Sequence, residues 1–365
     1  MALQSSGAIS LDDMHDEAGG TSGSTATIND ADIRALIGKS DGATAAFNEW
    51  YGASSGPDVG VFGSGYNGNL DPGYVNTIDY VTISSTGNAS DWGDATAAKI
   101  YYPTHGNDTY GITSYGGRTG GEGNVFNTID YVTFASAGDA ADWGDVTDTK
   151  MGSRPTNGGG GNKVRGLFCG NINLDNDGER VEYLAMGSTG NGADFGDLSV
   201  ERNRLCGMSS TTRTIFAGGQ NALGNEINTM DFFTIANTGN ATDFGDLGAA
   251  VRSSAGVASA TRGLTAGGYQ PYPVEIVNVI EKHTIASAGN GTDFGDLTRS
   301  VPELAGTANG SRAVFAGMGD NSGANIIDYV TIASAGNASD FGDLSVSRYH
   351  MNACGSATAA GAGSS

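Results

Sequence analysis

Hydrophobic and polar positions in this chain alternate over short runs, and the runs themselves recur. In IDYVTIAS, residues 327–334, Tyr329 and Thr331 oppose Val330 and Ile332, the period of two that predicts a β-strand. Both faces of the run are largely apolar, and such a strand has to be covered on both. One order of residues (apolar, acidic, aromatic, a Thr-rich β-run, then a turn leading to Asp-aromatic-Gly-Asp) occupies Ile78–Asp94, Ile129–Asp145, Val181–Asp197, Met230–Asp246, Ile280–Asp296 and Ile327–Asp343. The aromatic before the last Gly is Trp92, Trp143, Phe195, Phe244, Phe294 and Phe341. The recurrence, at about 50 residues, is the spacing of the kelch-type repeat.

Each unit accommodates four short strands. Two are the IDYVTIAS-type run and the SDFGDL segment that follows it. A third opens on arginine, as in Arg165–Gly170, Arg213–Gly218 and Arg312–Gly317, with Arg262–Gly267 carrying Thr265 in place of Phe. The fourth is built of small residues: CGMSS from Cys206, AGVAS from Ala255, AGTAN from Ala305 and NACGS from Asn352. Small side chains suit the crowded innermost position of a radial array, so this strand is expected to line the axis.

The phase of the repeat decides how the array closes. The first unit opens with Val59–Gly63, which matches the arginine-led strand but has no small-residue strand ahead of it, whereas the chain supplies an extra small-residue strand after the last unit. The expectation is an all-β chain whose residues 57–358 form a six-bladed β-propeller of kelch-like repeats, with residues 351–358 pairing against 59–63 to complete the first blade. Residues 359–365 are left as a tail.

Residues 1–56 read differently. Ser10 is placed to cap a short helix over Leu11–Glu17 before Gly19-Gly20, and Asn29 to cap one over Asp30–Ile37 before Gly38. The stripe of Ile33, Leu36 and Ile37 is too small to hold a domain alone. The segment is therefore a helical or irregular docking module, with Phe47, Trp50 and Tyr51 as anchors.

The run FAGG…IDYVTIASAGNASDFGDL, carried by residues 58–358, resembles the kelch-like propeller repeats of structural proteins in tailed bacteriophages. The opening LQSSGAISLDDMHDEAGG, with ATINDADIRALIGK and AFNEWYGAS, resembles the leader of phage tail-fibre and tail-tip proteins. The resemblance implies a non-enzymatic virion protein located on the tail or particle surface. Its leader would dock to other tail proteins, and its propeller would be a multi-copy or homo-oligomeric spacer, or a head that binds a host receptor or glycan. The alternatives are a kelch-type carbohydrate-active enzyme and a cellular adhesin propeller.

Composition narrows this further. Sixty glycines and 38% hydrophobic residues in 365 suit short strands and turns, and 18 Lys+Arg against 40 Asp+Glu give a formal net charge of −22. Phosphate backbones are bound by clustered cations, so nucleic acid is not an expected partner. The opening MALQSSGAIS has neither the basic start nor the apolar run of a signal peptide, and no apolar run has the length of a membrane span. Neither Sec export nor membrane insertion is expected.

Six copies of Asp-aromatic-Gly-Asp, lacking every other kinase element, read as turn aspartates bonding their own backbone. Asp175-Asn176-Asp177-Gly178-Glu179 is read as a polar hairpin, with calcium as the alternative. Arg165, Arg213, Arg262 and Arg312 share one repeat position and are expected to share a structural partner such as a turn Asp, with an anion-binding ring as the alternative. The N-x-[ST] triplets at Asn88, Asn240, Asn290 and Asn337 arise from the repeat rather than from glycosylation. Cys169, Cys206 and Cys354 read as small apolar side chains. His15, His105, His283 and His350 lack ligand spacing, so no metal, cofactor or catalytic residue is expected. Loops that depart from a rigid repeat carry specificity. Tyr101, Tyr102 and His105 in the second blade, with Tyr110 nearby, and Tyr269 and Tyr272 in the fifth, are the proposed ligand contacts, through stacking of tyrosines on sugar faces; aromatic packing between blades is the competing reading.

Overall fold

The chain divides into two units, Met1–Pro57 and Asp58–Ser365. A computed structural model describes residues 58–356 except 69, 71–72, 101, 115, 118–124, 148–157, 170–178, 272–274 and 318–324, together with Gly363 and Ser364. The helices read over residues 11–17 and 30–37, and the hairpin at 175–179 apart from its last residue, lie outside the described residues.

Among the described residues the regular structure is all β, and six antiparallel sheets form the six blades of a β-propeller. In blades 3 to 6 the strands follow chain order from the axis outwards: Gly158–Gly161, Arg165–Cys169, Arg180–Ala185 and Ala193–Asp197; Cys206–Ser209, Arg213–Ala217, Thr229–Thr234 and Thr242–Asp246; Ala255–Ala258, Arg262–Ala266, Val279–Thr284 and Thr292–Asp296; Ala305–Ala308, Arg312–Ala316, Ile326–Thr331 and Ser339–Asp343. Blade 2 has Thr104–Gly106, Tyr110–Thr113, Thr128–Thr133 and Ala141–Asp145, and Gly363–Ser364 adds a short fifth strand against Thr104 and His105. Blade 1 takes Val59–Tyr66, Tyr74–Thr82 and Ser90–Asp94 from the start of the unit and its innermost strand, Asn352–Gly355, from the end. The pairs Gly60–Gly355, Val61–Cys354, Phe62–Ala353 and Gly63–Asn352 close the ring, as the phase of the repeat predicts.

The small innermost residues have a steric cause. A Cβ placed on Gly159, Gly207 or Gly256 would fall inside contact distance of the backbone oxygen of Thr104, Gly159 or Gly207 respectively, each on the preceding blade. Neighbouring innermost strands approach too closely for a side chain at this position.

The apolar core is divided among the seams between blades. Among the described residues six buried clusters occur, each drawing on two adjacent blades; Ile112, Trp143, Phe168 and Leu184 join blades 2 and 3, and Val61, Trp92, Val132 and Phe134 join blades 1 and 2. The outermost aromatic enters its seam from a β-bulge: Ile78 opposes Gly93 while Asp79 opposes Asp91, so Trp92 is the extra residue. Burying one such ring contributes about 1.5–3 kcal/mol.

A polar belt follows the same seams. The turn before each outermost strand hydrogen-bonds to the outermost strand of the preceding blade, as in Gly239 N to Phe195 O at 2.7 Å and Ala241 N to Asp197 O at 2.8 Å. A turn Asn or Asp accepts from the last Asp N of that strand: Asn88, Asp139, Asn191, Asn240, Asn290 and Asn337 do so at 3.0–3.2 Å, once in each seam. The Gly of Asp-aromatic-Gly-Asp lies where these backbones touch; Gly196 has φ +147° and its Cβ would meet the Gly239 carbonyl. The motif therefore belongs to an outermost strand and a seam. It is not the self-bonded turn expected from the sequence, although Asp243 does accept from Gly245 N at 3.3 Å.

Candidate functional site

Antiparallel order places two kinds of connection at each end of every blade, and the two ends differ. At one end the connection from third to outermost strand has a single length throughout (83–89, 134–140, 186–192, 235–241, 285–291 and 332–338). The turn from innermost to second strand is equally uniform (107–109, 162–164, 210–212, 259–261 and 309–311). Its first residue, Asn107, Asn162, Ser210, Ser259 or Asn309, accepts hydrogen bonds from backbone N–H groups two and three residues on. At the opposite end the second-to-third connections range from 67–73 to 114–127, and the links between blades from 198–205 to 146–157. One face is uniform and the other is variable.

The variable face carries most of the apolar surface that the described fold leaves uncovered. Leu70 (50% exposed), Leu223 (85% exposed) and Ile276 lie in second-to-third connections, and Val200 lies in an interblade link. It also gathers aromatics. Tyr66 meets Tyr74 and Tyr349 edge to face at centroid distances of 5.1 and 5.4 Å, and Tyr349 meets His350 at 4.6 Å. His350 Nδ1 lies 2.9 Å from Glu303 Oε2. The three tyrosines are half-buried, and the exposed Leu70 lies in the connection that joins Tyr66 to Tyr74.

The residues singled out from the sequence separate here. Tyr101 and Tyr272 lie outside the described residues. Tyr102 is buried in the link ahead of the innermost strand, rather than in that strand, and its hydroxyl donates to the Gly63 carbonyl of blade 1. Burial raises its pKa, and a ring enclosed in this seam has no face to offer a sugar. His105 is buried in the innermost strand with Nε2 3.0 Å from Asn162 O, and burial pushes its pKa down to about 4. Packing between blades accounts for Tyr102 and His105. Tyr269 is half-buried on the variable face, beneath the Arg252 guanidinium at 4.5 Å, with Glu226 2.8 Å from Arg252 Nε. The cluster of Tyr66, Tyr74 and Tyr349 escaped the sequence reading because its members belong to opposite ends of the propeller segment and meet only through ring closure.

The repeated arginines do share a structural partner, though a different one from the turn Asp expected. Arg165 Nη1 donates to Ile235 O and Ala236 O, Arg213 Nη1 to Ile285 O and Ala286 O, Arg262 Nη1 to Ile332 O and Arg312 Nη1 to Ile83 O, each on the following blade. Arg165, Arg213 and Arg312 also stack over Tyr183, Phe232 and Tyr329.

A second set of charges went unread. The acid of each third strand (Asp79, Asp130, Glu182, Asp231, Glu281 and Asp328) accepts hydrogen bonds from Ser345, Thr96, Thr147, Ser199, Gly248 or Thr298, just past the outermost strand of the preceding blade. Three of these acids also hold a buried cation: Asp79 with Arg348 at 3.1 Å, Asp130 with Lys99 at 2.8 Å and Asp231 with Arg202 at 3.1 Å. The corresponding residues ahead of blades 5 and 6 are Val251 and Val301. Burial accordingly raises the pKa of Glu281 and Asp328. These acids are structural clamps.

The cysteines are free and buried, and burial pushes the thiols of Cys206 and Cys354 to about 11 and 12 and that of Cys169 well above its ordinary value. They are protonated, unreactive thiols at neutral pH. Among the described residues no three His, Cys, Asp or Glu side chains are grouped to hold a metal ion. No protein-family model matches the chain, and no curated protein matches it.

Proposed function

We propose that this chain is a non-enzymatic structural protein of a tailed-phage virion, docked through its N-terminal segment and presenting the variable propeller face to a host-surface glycan or receptor. The observation that carries this reading is the asymmetry of the ring: length variation and most of the exposed apolar side chains concentrate on one face, which also carries the cluster of Tyr66, Tyr74 and Tyr349. Rigid scaffolds place recognition in such loops, and tyrosine offers a flat apolar ring with a polar tip. The kelch-like repeats and phage-type leader supply the virion context. The buried acids, thiols and repeated arginines are engaged in holding blades together, which supports binding over catalysis.

Immunogold labelling of purified particles tests the location: label on the tail or particle surface is expected, and its absence from all particles rejects the reading. Tyr66→Ala with Tyr74→Ala, assayed for host adsorption beside thermal melting, tests the face. Lost adsorption by a folded variant is expected; unchanged adsorption leaves the propeller a spacer.

A further inference from the structure

On the uniform face, blade 5 alone breaks the pattern of its third strand. The position that pairs with the apolar residue of the second strand is aromatic in five blades (Tyr80, Tyr131, Tyr183, Phe232 and Tyr329), and in blade 5 it is Lys282, opposite Leu264. In blades 3, 4 and 6 that aromatic lies under the strand's arginine. Blade 5 instead lines one concavity with two cations, Arg262 and Lys282, where its siblings have a cation stacked on a ring.

The concavity has a volume of about 200 Å³, and its wall also includes Thr284, Ser287, Asn290 and Thr292. Both cations are half-buried. Arg262 uses Nη1 on the Ile332 carbonyl, and neither its other guanidinium nitrogens nor Lys282 Nζ has a hydrogen-bond or ion-pair partner among the described residues. The acids of the blade do not neutralise them. Glu281 and Asp293 are paired with each other in register, one position out of step with Lys282 and Thr292, so they point to the opposite side of the sheet. Glu281 there accepts from Gly248 N. No carboxylate lines the concavity, so in a chain of net charge −22 its two cations make a local positive site.

We propose that this concavity binds a single oxyanion, the carboxylate or sulfate of an acidic saccharide or a free inorganic anion of the same kind, held by Lys282 and the unused edge of Arg262. The hydroxyls and the Asn290 amide add hydrogen-bonding groups suited to a sugar around the anion. The site lies at the opposite end of blade 5 from the variable face, so it stands or falls separately from the role proposed above.

Titration calorimetry of the full chain with sodium sulfate and, separately, sodium glucuronate, at constant ionic strength against chloride, tests it. Saturable binding of either is expected. Sulfate and glucuronate binding alike identifies a general oxyanion site, and glucuronate alone identifies a carboxylated sugar. Lys282→Tyr installs the residue of four sibling blades and should weaken binding tenfold or more without lowering the melting temperature. Lys282→Met, which keeps the aliphatic stem and removes the charge, should weaken it equally. Absence of saturable binding in the unaltered chain, or binding unchanged in both variants, overturns the proposal.

Discussion

Arg202 and Asp231 form an ion pair at 3.1 Å with neither side chain exposed to solvent. Asp231 also accepts from Ser199 N and Oγ, and Arg202 Nη2 donates to Phe216 O at 3.2 Å, so one carboxylate joins the end of blade 3 to two strands of blade 4. Arg202 Nε is buried without a hydrogen-bond acceptor among the described residues. Breaking a buried pair from one side leaves an uncompensated charge, at a cost of about 3–5 kcal/mol. Arg202→Met is expected to lose stability on that scale in urea unfolding, and Arg202→Met with Asp231→Asn to recover part of it; a single variant as stable as the unaltered chain refutes the clamp.

Glu281 occupies the same position with Val251 in place of the cation and no ion pair among the described residues, and burial raises its pKa. A carboxyl whose folded pKa is raised loses stabilisation as pH rises from the ordinary carboxylate range through the folded value. Glu281→Gln should therefore flatten the fall in melting temperature across that range and be at least neutral at pH 7, in contrast to the charge-pair variants. A Gln variant less stable than the parent at pH 7 would show that the ionised clamp is the stabilising form.

Ring closure makes a sharper test. Ending the chain at His350 removes Asn352–Gly355 and uncovers the innermost edge of blade 1, now Val59–Tyr66. An unpaired edge templates association, so the truncated protein should aggregate and melt at lower temperature. Full thermal stability in a monomeric truncation, read by sedimentation and calorimetry, would remove the closing role from this strand.

Closure was legible in the sequence because it depends on phase: a small-residue strand is missing at one end of the repeat and supplied at the other. The axial position of that strand was legible for a related reason, since crowding leaves its mark in composition. The clamps were not. The acid recurs visibly, yet its partners are a Ser, Thr or Gly in the preceding unit, and nothing local distinguishes a buried Asp231 from an exposed Asp243. Among the proposed contacts, Tyr102 and Tyr269 both interrupt the repeat, but aromatic residues serve burial and recognition equally well, and the difference between a seam and a loop is a matter of three-dimensional position.

Glycine substitutions separate crowding from turn chemistry. Gly207→Val places a side chain against the Gly159 carbonyl and should destabilise severely, whereas Gly190→Ala, with open space where its Cβ would be, should be neutral or mildly stabilising. Melting temperatures of the two variants decide this, and equal effects would contradict the close approach of the innermost strands.

Two buried histidines set an acid limit. His105 and His283 have pKa values lowered by burial to about 4, against 6.5 for the free side chain. Between those values the unfolded chain binds more protons, so their stabilisation is complete above pH 6.5 and is lost as pH falls toward 4, on the order of 3 kcal/mol for each imidazole. His105→Met and His283→Val take the residues found at matching positions, Met208 and Val81. Each should reduce the loss between pH 6.5 and 4; an unchanged pH profile would exclude the histidines as its source.

Because every seam uses the same few positions (an outward aromatic, a turn Asn, a glycine at the contact and an acid reaching back), each blade carries a standard connector on either side. A duplicated or exchanged blade would therefore arrive already able to join its neighbours, while the loops of the variable face diverge without disturbing the joints. Such a molecule can be inherited in pieces: its history is free to be one of copying and shuffling whole blades, with selection acting on one face alone.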